Sequence, residues 1–391
     1  MIHRFHGFTW AIFYFILFRT YLLLNRVRFV LLKKIFKDTI SIGDLIQPGQ
    51  LNDSVAIIAG YPIGSLSYKV SLDRLVTGLI DSGSSILCVF NNKPSDEIMG
   101  LLSRPKISIY VRKNYGRDFA CYQAGIKFLT DSSKLSKLTE LILVNDTLYW
   151  FESSESIIRK LRKHEWSCLY LNLEKHTHAQ SFLLRFDHKV INSTSFSKFW
   201  KDYLPLSDKR HLIHRGEIAL TSELLASGFN IFPIVNPELL ESADFEIREK
   251  KLTTLSRIPL GGLKPVGSVP VLPTGFSEGT FRNYMLGANT EKSLTKPEEI
   301  LGGNILDYLD WLKNFVYSDP PHRIGLHISL LFDFPLKRDM YKFIHLTPIA
   351  NSIAEIDSNM YESILLDQTN SMAKFMRGDF KSRLKRKMGE H

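Results

Sequence analysis

Four aliphatic residues, Leu141 to Val144, run without a break into Asn145-Asp146-Thr147. A short apolar run closed by turn residues reads as a buried β-strand. The chain then turns apolar again at Leu148-Tyr149-Trp150, so Asp146 is set among groups that make a carboxylate costly unless it is paired or meets a cation. In an open α/β sheet, ligands bind at the carboxyl ends of the strands. Asp146 is therefore placed to face a nucleotide or its metal, and a divalent ion bridging two phosphates would supply the partner it needs. A structural Asn-Asp turn is the plainer account.

Three earlier runs have the same character. Val55 to Ala59 is aliphatic and closed by Gly60-Tyr61-Pro62; Ser85 to Phe90 ends at Asn91-Asn92; Ile107 to Val111 is a third. Between the first two, Val70, Leu72, Leu75, Val76 and Leu79 keep helical spacing, and Gly83 stops the helix. The order β-α-β-β-α-β predicts a parallel or mixed sheet flanked by helices.

Lys113 to Gly125 reads K-N-Y-G-R-D-F-A-C-Y-Q-A-G. Gly116 lets the backbone turn and approach a ligand closely, Arg117 can neutralise a phosphate, and Asp118 can hold a ribose or sugar hydroxyl. Equally, the segment suits a helix N-terminus in which Asn114 caps and Asp118 answers the dipole. Downstream, His176, His178, Gln180 and Ser181 lie between two apolar strands. Two histidines at i, i+2 can bind a metal, yet no third ligand is near. Hydrogen bonding to a sugar is the better use of His178, Gln180 and Ser181, with a purely structural loop beside it. Phe196 to Trp200 (F-S-K-F-W) is an aromatic helical face, most simply core. A further helix ends at Gly228. Its Glu217 is either a capping carboxylate or a general base aimed at the pocket.

The formal net charge of +10 belongs to the two ends of the chain. No acidic residue precedes Asp38, whereas Arg4, Arg19, Arg26, Arg28, Lys33, Lys34 and Lys37 do, and the tail from Phe380 is again basic, which leaves the body at about −1. This argues against a basic groove for nucleic acid and for termini that meet an anionic membrane surface. Gly7 to Leu24 is apolar and aromatic but short for a span and interrupted by Arg19. An amphipathic helix in the membrane interface is the expectation for residues 1–45; a span and a helix packed on the protein's own core are the alternatives. Cys88, Cys121 and Cys168 are scattered, without C-x-x-C spacing. Neither a disulfide framework nor structural zinc is expected, and Cys88 reads as core.

Residues 46–245 thus form the catalytic or binding domain, and 246–300, rich in Gly, Pro, Ser and Thr, a linker or surface loop. Residues 301–391 are expected to be mostly helical, with amphipathic helices at Asn304–Phe315 and Met360–Met376, a strand within I-G-L-H-I-S-L-L-F-D-F and the basic tail at the membrane.

With those residues in view, the stretch from 54 to about 240 resembles the rhamnan synthesis protein F family. The likeness lies in the order and spacing of V-A-I-I-A-G-Y, N-Y-G-R-D-F-A-C-Y-Q-A-G-I, L-I-L-V-N-D-T-L-Y, H-A-Q-S-F-L-L-R-F, F-S-K-F-W and G-E-I-A-L-T-S-E-L-L-A-S-G-F. The resemblance implies a GT-A-like α/β sheet and the transfer of a deoxyhexose, typically L-rhamnose, from a nucleotide diphosphate sugar to a cell-surface polysaccharide such as O-antigen or a lipid-linked glycan. It puts Tyr61 near the base, Asn91 beside the nucleoside, and Asn114, Gly116 and Asp118 under the ribose and diphosphate. Asp146 falls at the metal-binding D-x-D, with Mg²⁺ or Mn²⁺ as its cofactor, and Glu217 at the base of inverting members. Asn145 and Thr147 flank a single carboxylate where two are usual, so either metal affinity is weak or positive side chains such as Arg117 replace the cation. The expected setting is peripheral, at the cytoplasmic face of the membrane, alongside other polysaccharide-assembly enzymes. The alternative is a non-catalytic glycan-binding scaffold subunit of such an assembly.

Overall fold

The computed structural model describes residues 43–241 except 152 and 175, residues 312–313, 316–317 and 320–338, and Leu24, Val27 and Glu362. The expected interfacial segment before Gly43, the linker 246–300, the basic tail and most of both C-terminal amphipathic helices lie outside the described residues. Among the described residues, no helix is long and apolar enough to cross a membrane.

In chain order the elements are β1 (Gly43–Gln47), β2 (Ser54–Gly60), α1 (Leu66–Asp81), β3 (Ser85–Phe90), α2 (Asp96–Leu101), β4 (Ile107–Arg112), α3 (Arg117–Asp131), β5 (Glu140–Asn145) and β6 (Leu148–Tyr149). They continue with α4 (Glu155–Leu161), β7 (Trp166–Cys168), β8 (Leu171–Asn172), β9 (His178–Ala179), β10 (Leu183–Asp187), α5 (Thr194–Asp202), α6 (Ile218–Ala226) and β11 (Ile231–Pro233). From the C-terminal region come α7 (Gly325–Phe332) and β12 (Leu336–Lys337).

Eight strands form one mixed sheet in the order β1-β4-β3-β2-β5-β10-β7-β11. Its centre, β4-β3-β2-β5, is parallel, so the carboxyl ends of these strands share one edge. The side chains of each central strand alternate between two faces, and both faces are apolar. Ala56, Ile58, Ile86, Cys88, Ile142 and Val144 point one way, into a core with Tyr68, Leu72, Leu75 and Leu79 of α1. Val55, Ile57, Ala59, Leu87, Leu141 and Leu143 point the other way, onto Phe119, Tyr122, Ile126 and Leu129 of α3 and the aromatic face of α5. Burial on both faces is what turns an aliphatic run into a central parallel strand. All three cysteines are buried and unpaired.

Two expectations need correction. The helix α2 intervenes between β3 and β4, started by Asp96 and Glu97 in its first turn. The segment expected as a C-terminal strand is the helix α7, ended by Asp333 in the left-handed region (φ 56°). Ile324, Ile328 and Leu331 are all buried, a spacing of four and three residues that belongs to one helical face. Short apolar runs fit either period, and here the helix won. The segment joins the rest of the fold: Leu312, Val316, Ile324, Ile328 and Phe334 share the core under α1, and β12 pairs with β6.

At the sheet edge opposite the four parallel carboxyl ends, β5 begins with a buried acid. Glu140, 4% exposed, accepts from Arg162 Nη2 at 2.7 Å, Arg185 Nε at 2.9 Å and Ser54 Oγ at 2.7 Å. Burial alone would lift its pKa; the bonds from Arg162, Ser54 and Arg185 outweigh this and hold it below the ordinary glutamate value.

Candidate functional site

Asp146 follows β5 directly, and its backbone N–H donates to Ala59 O at 3.0 Å, extending the β2–β5 pairing by one residue. That step carries the carboxylate past the end of β2, where Oδ2 accepts the Tyr61 N–H at 2.8 Å. The approach requires glycine at position 60: a Cβ there would stand 2.8 Å from Asp146 Oδ2. Asp146 is 9% exposed. Burial raises its pKa, opposed first by the charge of Arg338, then by the Tyr61 N–H and the Tyr68 hydroxyl.

The loop before α3 arrives at the same place. Gly116, in the left-handed region (φ 77°), is the residue before the first helical turn; it, rather than Asn114, occupies the cap position. Its N–H donates to Ser207 Oγ at 3.0 Å, and a Cβ would meet Pro205 at 2.6 Å and Ala120 at 2.7 Å. The tight turn delivers Asp118 to the end of β5, where Oδ2 accepts from Asn145 Nδ2 at 2.8 Å. Asn145 Oδ1 in turn accepts the Thr147 N–H and Oγ1–H, at 3.2 and 2.6 Å. Glycine bend and strand-end acid therefore converge. Arg117 commits its Nε to Ser207 O at 2.8 Å, while its charge still opposes the rise of the Asp118 pKa, and Asn114 is exposed.

Asp118 has its pKa raised to about 7, by burial first, then by the negative charge of Asp146, with Glu217 adding and the Asn145 hydrogen bond opposing. Between 3.8 and about 7 the folded protein then holds a proton that the unfolded chain has released, so this group makes stability fall as pH rises through that window. Asp118→Asn keeps an oxygen for Asn145 and removes the titration. Its melting temperature, measured without divalent cations, is expected to lose this decline and to exceed the parent's above pH ~7. Parallel curves for the two proteins would refute the assignment.

Close enough to Asp118 for its charge to be felt stands Glu217, the last residue of a π-helical turn (Leu212–Glu217) leading into α6; such turns recur at functional sites. It does not cap the helix. Its Oε1 accepts Ser181 N–H at 2.9 Å and Ser181 Oγ–H at 2.7 Å, and Oε2 lies 4.0 Å from His178 Nε2. His178 is oriented by an Nδ1 contact with His176 O at 2.7 Å. His178, Ser181 and Glu217 thus form one unit, with Gln180 buried beside it; His176 faces His214, ring to ring at 6.1 Å. Among the described residues, no three His, Cys, Asp or Glu side chains gather as a metal site. Asp118 and Asp146 nevertheless repel one another, a deficit that a cation would relieve. It would be held by carboxylate on one side and by substrate phosphate on the other.

Tyr61 carries its ring at the rim, 49% exposed. Asn91 is committed inward, Oδ1 accepting from Arg112 Nη1 at 2.9 Å. Arg112 also donates to Tyr115 O at 2.7 Å and so braces the Gly116 loop from beneath. Arg112, Tyr203, whose hydroxyl is buried near Glu217 and Asp118, and Arg338 were all missed by sequence reasoning. For Arg112 a signal existed: a basic residue directly closing an aliphatic strand. Nothing in the sequence pointed to Arg338.

Comparison with known proteins agrees with the resemblance read from the sequence. Residues 86–264 match the family model described as rhamnan synthesis protein F. A protein of Sinorhizobium fredii (strain NBRC 101917 / NGR234), named uncharacterized protein y4gN, is 28% identical over 252 residues, 62% of this chain and 61% of that one. The match therefore spans about three fifths of that relative's length. Among solved structures, the glycosyltransferase GlyE of Streptococcus pneumoniae TIGR4 aligns at 12% identity and TM-score 0.30, covering 54% of this chain and 50% of that one. Mouse xyloside xylosyltransferase 1 aligns at 7% identity and TM-score 0.28, covering 47% and 85%.

Proposed function

We propose that the chain is a glycosyltransferase that takes a nucleotide diphosphate sugar as donor and a glycan, free or lipid-linked, as acceptor. The observation that carries this reading is the 2.8 Å contact between Asp118 and Asn145, which brings the glycine bend and the strand-end acid to one sheet edge, with the charge of Glu217 felt at Asp118. The match of residues 86–264 to the rhamnan synthesis protein F model supports it and favours a deoxyhexose, L-rhamnose first among those to be tried. The cytoplasmic face of the membrane, where activated sugars are made, is the proposed place of work.

In this reading Glu217 is the general base. Its Oε1 is fixed by Ser181, which leaves Oε2, beside His178, to take the proton of an acceptor hydroxyl. That hydroxyl attacks the anomeric carbon, and the bond to the nucleoside diphosphate breaks. Asp146 and Asp118 orient the donor's ribose and sugar hydroxyls and the turn that carries them. A divalent ion, where one takes part, would be held by Asp146, with Asp118 beside it, and would neutralise charge on the departing diphosphate.

The direct test incubates the purified protein with dTDP-, UDP- and GDP-sugars, with and without Mn²⁺, and measures released nucleoside diphosphate and glycosylated product. Binding without turnover on every donor and acceptor tried would sink the enzymatic reading. Glu217→Gln preserves the Ser181 contacts and removes basicity. Transfer is expected to drop by about 10²–10⁴-fold with an unchanged melting temperature, and wild-type rates would exclude Glu217 as base.

A further inference from the structure

A diphosphate brought to a site lined by Asp118, Asp146 and Glu217 puts negative charge beside negative charge. Arg117, the cation expected to help, commits its Nε to Ser207 O; Arg112 is engaged with Asn91 and Tyr115. A third arginine comes from the C-terminal region. We propose that Arg338 is a positioning residue of this site, the built-in counter-cation that sets the Asn145–Thr147 turn and balances Asp146.

The geometry is specific. β12 pairs antiparallel with β6, Leu336 opposite Tyr149 and Lys337 opposite Leu148, and the ladder extends one step further as Arg338 N–H donates to Thr147 O at 2.8 Å. From there the guanidinium reaches back, Nη2 donating to Asp146 O at 2.7 Å. Its carbon lies 5.1 Å from the centre of the Tyr68 ring and 5.2 Å from that of Tyr149. Two aromatic faces and one carbonyl thus hold the cation in a fixed pose, favourable for a guanidinium in partly desolvated surroundings. Two carbonyls of the turn, at 146 and 147, are bound by this one residue. Lysine could supply the charge but not the planar stacking or the forked donors. The turn that aims Asp146 is therefore built by two parts of the chain, β5 from the sheet and β12 from beyond residue 330.

The inference rests on the proposed transfer reaction for its catalytic half, and a stability experiment tests the other half without any reaction. Melting temperatures in EDTA are compared for the parent, Arg338→Met, Asp146→Asn and the double variant. Arg338→Met is expected to lower the melting temperature by several degrees with Asp146 present and by less than half as much in the Asp146→Asn background. An equal fall in both backgrounds would overturn the charge pairing, whatever the protein's activity. In the kinetic arm, Arg338→Met is expected to reduce kcat at least tenfold with donor KM changed less than threefold, and Arg338→Lys to recover part of the loss. Leu336→Ala, which weakens only the docking of β12, is the control: it is expected to lower the melting temperature without the kcat defect. If kcat in all three variants simply follows their melting temperatures, Arg338 does no more than anchor a strand and the proposal fails. A parent protein that transfers no sugar at all would strike the proposed function and the kinetic half together, and leave the EDTA comparison to decide the pairing.

Discussion

Asp146→Asn is expected to reduce sugar transfer by at least ~10²-fold, the scale of removing one charge-stabilising group from an active centre, while the protein still folds. The substitution is nearly isosteric, and the side-chain oxygen can still accept the Tyr61 N–H that now meets Oδ2 at 2.8 Å. What disappears is the negative charge. Burial makes that charge costly, since Asp146's pKa is raised despite Arg338; neutralising it relieves this cost but leaves Arg338 without its counter-charge. The two effects oppose each other, so the melting temperature is expected to move by only a few degrees. A structural Asn-Asp turn predicts the same small shift but no kinetic defect. Nucleoside diphosphate release separates the two accounts, and a variant turning over at the parental rate would leave Asp146 as a turn residue only.

Glu140→Ala is expected to have the largest effect on stability. Removing one partner of a buried ion pair costs about 3–5 kcal/mol, because the other charge is left uncompensated. Here two arginines lose their acceptor together, and Arg185 is 7% exposed, so it cannot turn to water without disturbing β10. For a domain of this size the loss corresponds to about 10 °C in melting temperature. Thermal unfolding at pH 7 checks it, and a fall under ~2 °C would show that water reaches the cluster. The pH dependence has a definite sign. Glu140's pKa is lowered on folding, so its contribution is present above the ordinary value of 4.5 and is lost as pH falls below it. Asp118 acts oppositely in the range above, and the parent protein should be most stable in mildly acidic solution, where both groups are favourable.

The central sheet was legible because its strands are buried on both faces, which writes them as short, largely apolar runs, three of them closed by Gly, Asn or Asp and the fourth by Arg112. Val55–Ala59 and Ile107–Val111 were each found to within one residue at either end. The convergence of Gly116, Asp118 and Asp146 was legible too, since parallel strands must put their carboxyl ends on one edge. Side-chain direction was not. Arg117 and Asn91 are spaced like ligand residues but commit Nε and Oδ1 to protein partners, and no spacing rule reveals that. Glu217 was singled out, whereas its bond to Ser181 depends on a π-helical turn that sequence does not announce. The C-terminal helix was misread because a short, largely apolar run fits both periods at once. Arg338 was out of reach because its partner lies 192 positions away.

That separation has a consequence for biosynthesis. At about 5–20 residues per second, the ribosome needs roughly 10–40 s after making Asp146 to add the arginine that completes its surroundings 192 positions later. In that interval the nascent sheet carries its acidic turn with one wall missing, and newly made chains would become competent for chemistry only as their late segments emerge from the exit tunnel.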